Sequence, residues 1–119
     1  MTLSYTIVPK AVYPFDRCDA LTRYTFGLIL DRWKLSAREE SWRKWYDDHG
    51  CYCVYDRKEL AAELGVTQPT LRRCLDKLIE EGLIEVERAE KFGAYRYYMP
   101  WRARQAVGVA DPVAQYGTP

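Results

Sequence analysis

Three sets of residues in this chain are of types and spacings that could do chemistry. The first is "TQPTLRRCLDKL", residues 67–78. An arginine can donate two hydrogen bonds to guanine O6 and N7, and a glutamine carboxamide can bind adenine. Gln68, Arg72 and Arg73 are such residues, and Lys77 follows one turn on. The Thr67 hydroxyl and the first free N–H groups of a helix suit a phosphate. The second set is Cys18, Cys51, Cys53 and Cys74 with the single histidine, His49. Zinc ligands come as two pairs, each separated by two to four residues. Here Cys51 and Cys53 stand too close together and the other two are distant singles, so no metal site is expected. Cys18, Cys53 and Cys74 read as small buried apolar residues. The third set is the possible catalytic groups. There is no phosphate-binding glycine loop, His49 falls in a turn, and tyrosines are ordinary strand residues. Neither an enzyme nor a cofactor is expected.

These residues need elements to position them. "SYTIVPKAVY" is rich in β-branched and aromatic residues and reads as an extended N-terminal arm. Asp19 is placed to cap a long helix, "ALTRYTFGLILDRWKL", the expected core helix. Two apolar groups recur along it at helical spacing: Leu21, Tyr24, Leu28 and Leu35, and Phe26, Ile29, Leu30 and Trp33. Gly27 inside it suits a close helix approach. The polar "SAREESWRKWYDDHG" ends in a turn signal, with Trp42 and Trp45 expected to pack back on the core. "CYCVY" reads as a strand. Asp56 then caps "RKELAAEL", with Leu60, Ala61 and Leu64 inward. Gly65 suits the left-handed residue that ends a helix.

Thr67 caps the next helix, where Pro69 is tolerated because a first-turn N–H has no partner in the helix. Leu71, Cys74, Leu75, Leu78 and Ile79 form its buried stripe, and Gly82 closes it. "LIEVE", the turn "RAEKFG" and "AYRYYM" make a hairpin. The order long helix, strand, helix, helix, hairpin predicts a mostly α fold with a small β-hairpin, a winged helix-turn-helix, over residues 1–99. Residues 100–119 are small and polar and read as a flexible tail or the start of a linker. In this motif the N-terminal half of the second helix enters the DNA major groove.

A chain of 119 residues with 48% apolar and 29% charged residues is of a size and make-up for one domain. The formal net charge of +1 announces no nucleic acid, so the argument rests on where the charges sit. The hairpin is neutral: Arg88, Lys91 and Arg96 against Glu85, Glu87 and Glu90. It is expected to add only a few phosphate contacts. Phe92 at its tip is placed for packing or exposure more than for wedging into a groove. No apolar run is long enough to span a membrane, and the N-terminus does not follow a signal-peptide pattern. A cytoplasmic location with reduced cysteines is therefore expected.

The stretches "LTRYTFGLILDRWKLS" and "WYDDHGCYCVYDRKELAAELGVTQPTLRRCLDKLIEEGLIEVE" carry a resemblance. With Asp31-Arg32, Leu35-Ser36, Trp45, Gly50 and the "GLIE" strand, residues 5–99 resemble the N-terminal domain of the plasmid replication initiator A family. The resemblance implies a winged helix that recognises repeated sites in double-stranded DNA at a plasmid origin, as a homodimer. By position it makes Gln68, Thr70, Arg72 and Arg73 the recognition residues. It also implies a second domain, outside this chain, that recruits replication machinery. Repression of transcription on a mobile element uses the same contacts. A winged helix that docks a protein partner is the alternative of a different class.

Overall fold

A computed structural model describes residues 14–88 and 94–117. A 3₁₀ turn, Pro14–Arg17, leads into α1, Ala20–Ser36. Asp19 caps α1 by accepting from the Thr22 N–H at 2.8 Å. Phe26, Ile29 and Trp33 turn inward at helical spacing, and the Trp33 Nε1–H donates to the Cys51 carbonyl at 2.9 Å. The other apolar group divides: Leu28 packs against the edge of that core, while Tyr24 and Leu35 are 58% and 52% exposed. Gly27 also departs from expectation. A Cβ built on it meets no described atom within 4 Å, so no packing within the described chain requires a glycine there.

After a second 3₁₀ turn, Trp42–Trp45, come β1, Tyr46–Asp47, and β2, Gly50–Asp56, joined by a tight turn. Trp42 is fully buried, as expected, while Trp45 is half-buried. Along β2 burial alternates: Cys51, Cys53 and Tyr55 face the core. This is the period-two pattern of a strand with one covered face. Next come α2, Arg57–Leu64, and α3, Gln68–Glu80. The hairpin strands are β3, Glu85–Arg88, and β4, Ala94–Tyr98. The sheet is antiparallel, in the order β1-β2-β4-β3. Cys53, Tyr97 and Val86 lie opposite one another across β2, β4 and β3 and point to the same side.

The core joins Phe26, Ile29 and Trp33 of α1 to Leu60 and Ala61 of α2 and Leu71, Leu75 and Leu78 of α3, over the inner face of the sheet. All four cysteines are buried and free. Burial pushes the Cys51 and Cys53 thiols up to about 12, so both stay protonated at neutral pH. The described residues include no group of three His, Cys, Asp or Glu side chains able to hold a metal ion. No described helix is long and apolar enough to cross a membrane.

The region expected as a flexible tail is helical instead. α4, Trp101–Val107, places Ala103 in the core, and α5, Pro112–Tyr116, is capped by Asp111. Polar composition concealed this, because α4 docks on the core through Ala103 and Val107, and α5 needs only its aspartate cap and the buried Pro112. The expected N-terminal arm lies outside the described residues, as do Lys91 and Phe92 of the expected hairpin turn.

Candidate nucleic-acid interface

The turn between α2 and α3 is built as the sequence requires. Gly65 takes φ 72° and ψ 32°, the left-handed conformation in which a Cβ is strained. Its N–H and that of Val66 return to the carbonyls of Ala62 and Ala61. Ala61, small and buried, lies on the inner face of α2. Thr67 caps α3, accepting from the Thr70 N–H at 3.4 Å. The Thr67 hydroxyl also donates to Thr70 Oγ1 at 3.1 Å. Leu71, Cys74, Leu75 and Leu78 fix the inward face, while Ile79, expected in that stripe, is 42% exposed. Position 79 lies about 100° round the helix from Leu78, at the edge of the stripe that Leu71, Cys74 and Leu78 centre.

With that face buried, Thr67, Gln68, Arg72 and Arg73 stand exposed and Thr70 is half-exposed. The three cations of the helix differ in their surroundings. Arg73 Nη1 lies 3.3 Å from Asp19 Oδ2, so it is held by the residue that caps α1. Lys77 Nζ lies 3.7 Å from Glu80 and 3.4 Å from Glu81. Arg72 makes no ion pair among the described residues.

Arg72 and Gln68 line a cleft of about 500 Å³ whose other walls include Arg57, Lys58 and Tyr95. The cleft thus joins the start of α2, the start of α3 and the strand of the wing. The Arg57 guanidinium lies over the Tyr95 ring, 4.0 Å from its centroid, and its Nε has no hydrogen-bond partner among the described residues. Three cations face one acid there, and that acid, Asp56, is occupied as the cap of α2, accepting from the N–H groups of Lys58 and Glu59. The cleft can receive an anion.

Sequence reading missed Arg57, Lys58 and Tyr95. A signal did exist. Cations in the first turn of a helix oppose its dipole, and α2 begins with two of them. Positions that break a local rule without a local gain are where function is expected.

The wing residues separate. Arg88, exposed at the end of β3, lies across from Tyr95. Arg96 belongs to the other face of β4 and does not stand with Arg88. Its Nη1 lies 2.7 Å from Asp47 Oδ2, and its guanidinium covers the Tyr52 ring at 4.5 Å. Tyr98 Oη donates to the same Asp47 oxygen at 2.6 Å, and the His49 N–H to Oδ1 at 2.8 Å. Burial alone raises the Asp47 carboxyl, but the hydrogen bonds from Tyr98, His49 and Arg96 hold it below the ordinary carboxylate value. Arg96 therefore ties β4 to β1 across the back of the sheet.

Comparison with known proteins agrees with this architecture. No curated protein matches the chain. Two solved structures are similar to it: one titled "N-Terminal domain of DNA binding protein", the other "Structure of Rep-DNA complex". Each has a TM-score of 0.57 and 16% identity over 94% of this chain, and the matches cover 86% and 87% of those chains respectively. At that identity the likeness is one of fold: a winged helix-turn-helix, mostly helical, with a small antiparallel sheet. The family model of the Crp-like helix-turn-helix domain matches residues 28–92, from the middle of α1 through β3, and with more than half of its length so matched the chain belongs to that family.

Proposed function

We propose that this protein binds double-stranded DNA in a sequence-specific manner, at repeated sites of a plasmid or mobile-element origin, as the first step of replication initiation. The observation that carries the reading is Arg72. It is exposed on the N-terminal half of the second helix of a helix-turn-helix, without an ion pair among the described residues, beside Gln68 and above a cationic cleft. Those are the residue types that read guanine and adenine edges. In this reading Thr67, Thr70, Arg57 and Lys58 meet phosphates and set the register of the helix, as backbone contacts do in such complexes. Arg88 and Lys91 add weaker contacts from the wing. The replication role draws on the resemblance to plasmid initiators and on a structural neighbour titled as a Rep–DNA complex. Two copies bound to half-sites one helical turn apart, about 34 Å, fit such a role. Repression at the same site uses the same contacts.

One observation favours a protein-docking role instead: Arg73 and Lys77 already have acidic partners, and the formal net charge is only +1. The two readings separate in one experiment. Duplexes selected from a randomised pool by the wild-type chain are titrated by fluorescence anisotropy against wild type and Arg72→Ala. The DNA reading expects a loss of about 1–3 kcal/mol for the variant, with base preference relaxed at one position. Failure to select any duplex at low salt, or equal binding by the two proteins, overturns it in favour of docking.

A further inference from the structure

α1 carries two apolar stripes; the described residues bury one and leave much of the other exposed. Phe26, Ile29 and Trp33 fill the core. Tyr24, Leu28 and Leu35, spaced four and seven residues apart, form the second: Leu28 packs on the edge of the core, and Tyr24 and Leu35 are more than half exposed. Beside them run Arg23, Gly27 and Asp31 at intervals of four, which places the three on one ridge of the helix. Leu28, Asp31 and Leu35 also line a shallow groove of about 490 Å³ against Tyr55 and Glu63.

Gly27 is the anomaly in this face. A glycine in the interior of a helix costs about 0.5–1 kcal/mol relative to alanine. Gly27 is not in a turn, its φ is not positive, and no described atom lies within 4 Å of where its Cβ would stand. Nothing described in the fold requires it. A glycine does permit close approach by a helix from outside the chain, where a side chain would hold the axes apart.

We propose that this face of α1 is where two copies of the chain pair, their α1 helices antiparallel and crossing at Gly27. A second copy is favoured over an unrelated partner by the order of charges. Arg23 lies four residues before Gly27 and Asp31 four after it. Under a two-fold axis through the crossing, residue i of one copy meets residue j of the other and j meets i. Each Arg23 then faces the partner's Asp31, so the ridge is complementary to its own reverse. The Arg23 Nε–H is turned back to the carbonyls of Phe15 and Cys18, which fixes the stem of the side chain and leaves its remaining N–H groups for the partner. Tyr24 and Leu28 pack on either side of the crossing, and Leu35 covers Ala20 and Leu21 of the other copy. Asp19 lies eight residues before Gly27, so the two Asp19–Arg73 pairs stand about 24 Å apart along the helix axes. The recognition helices are thereby carried toward opposite ends of the pair.

This surface supplies the partner for the paired half-sites proposed above and rests on that reading only for its use. The test is therefore made without DNA. The full chain is examined by sedimentation equilibrium over a range of protein concentrations, as wild type, Gly27→Leu, Asp31→Arg and the double variant Arg23→Asp/Asp31→Arg. Wild type is expected to be a reversible dimer. Gly27→Leu and Asp31→Arg are each expected to raise its dissociation constant by at least about tenfold, and the double reversal to recover most of the loss. Gly27→Leu is expected to keep or raise the thermal midpoint of the monomer, because the added side chain enters open space. Asp31 is exposed, so its variant folds regardless. A monomeric wild type overturns the proposal, as does a dimer insensitive to both single changes. Arg72→Ala is expected to dimerise normally, so loss of pairing and loss of DNA reading are told apart.

Discussion

At the scale of the residue, the ion pairs decide which cations of α3 are ready for a ligand. Arg72 is ready, whereas Arg73 must leave Asp19. Hydrogen bonds from Thr22 come first, ahead of Arg73, in holding the Asp19 carboxyl below its ordinary value, so Asp19 stays charged throughout the neutral range. Asparagine caps a helix as well as aspartate does but cannot hold an arginine by charge. Asp19→Asn is therefore expected to leave thermal stability nearly unchanged and to tighten DNA binding a few-fold, most at low salt, because exposed pairs are screened. Equal affinity of variant and wild type at low salt contradicts a restraining role for Asp19.

Asp47 is a residue of stability instead of recognition. Its carboxyl is depressed, so the stability it contributes is complete above the unfolded value near 3.8 and is lost as pH falls through the lower folded value. Asp47→Asn is expected to cost about 1–3 kcal/mol at neutral pH in urea unfolding. It should also flatten the acid limb of the stability profile below about pH 4. A variant with an unchanged acid limb rules out this bridge as its source.

At the scale of the element, the helix-turn-helix depends on one backbone conformation. Gly65 is left-handed and solvent-exposed, and space is free where a Cβ would stand, so the whole cost of a side chain there is conformational. Gly65→Ala is expected to lower stability by about 1–2 kcal/mol, with DNA affinity recovering once the protein is kept well below its melting temperature. A persistent affinity loss in fully folded variant shows that the turn also sets the angle of α3. The wing shows how strand geometry divides neighbours. β4 alternates Tyr95 and Tyr97 on the core side with Arg96 and Tyr98 on the other. Arg88 and Arg96, equivalent in the sequence as wing cations, therefore serve different faces. The turn chemistry of α2 and α3 was legible from Asp56, Gly65, Thr67 and Pro69, because caps and left-handed glycines are set by adjacent residues. The direction of Arg96 was not, because its partner Asp47 lies 49 residues away on β1.

At the scale of the whole molecule, the near-neutral charge sets how the protein meets DNA. With Arg57, Lys58 and Arg73 as the phosphate-neutralising cations, the logarithm of the binding constant should fall with the logarithm of salt concentration with a slope of about −3. A slope near zero excludes a phosphate-anchored complex, and one near twice this value shows that the wing or a second copy contributes as many contacts again. Weak non-specific binding at physiological salt is expected from the same count, which in the proposed reading leaves specificity mainly to Gln68 and Arg72.

The sequence by itself determined the winged helix-turn-helix. Its apolar periods, caps and turn residues are local, and each agrees with the fold that buries them. It also determined that Gln68, Arg72 and Arg73 point away from the core, since a 3.6-residue period fixes one face once the other is buried. Only the tertiary structure decided which cations are free. Ion pairs such as Arg73–Asp19 and Arg96–Asp47 join segments distant in the chain. Only the tertiary structure brought Arg57 and Lys58 into one cleft with Gln68 and Arg72, stacked Arg57 on Tyr95, and left Tyr24 and Leu35 of α1 exposed. Periodicity marks both stripes of that helix as apolar; which of them the rest of the chain covers depends on where α2, α3 and the sheet come to lie.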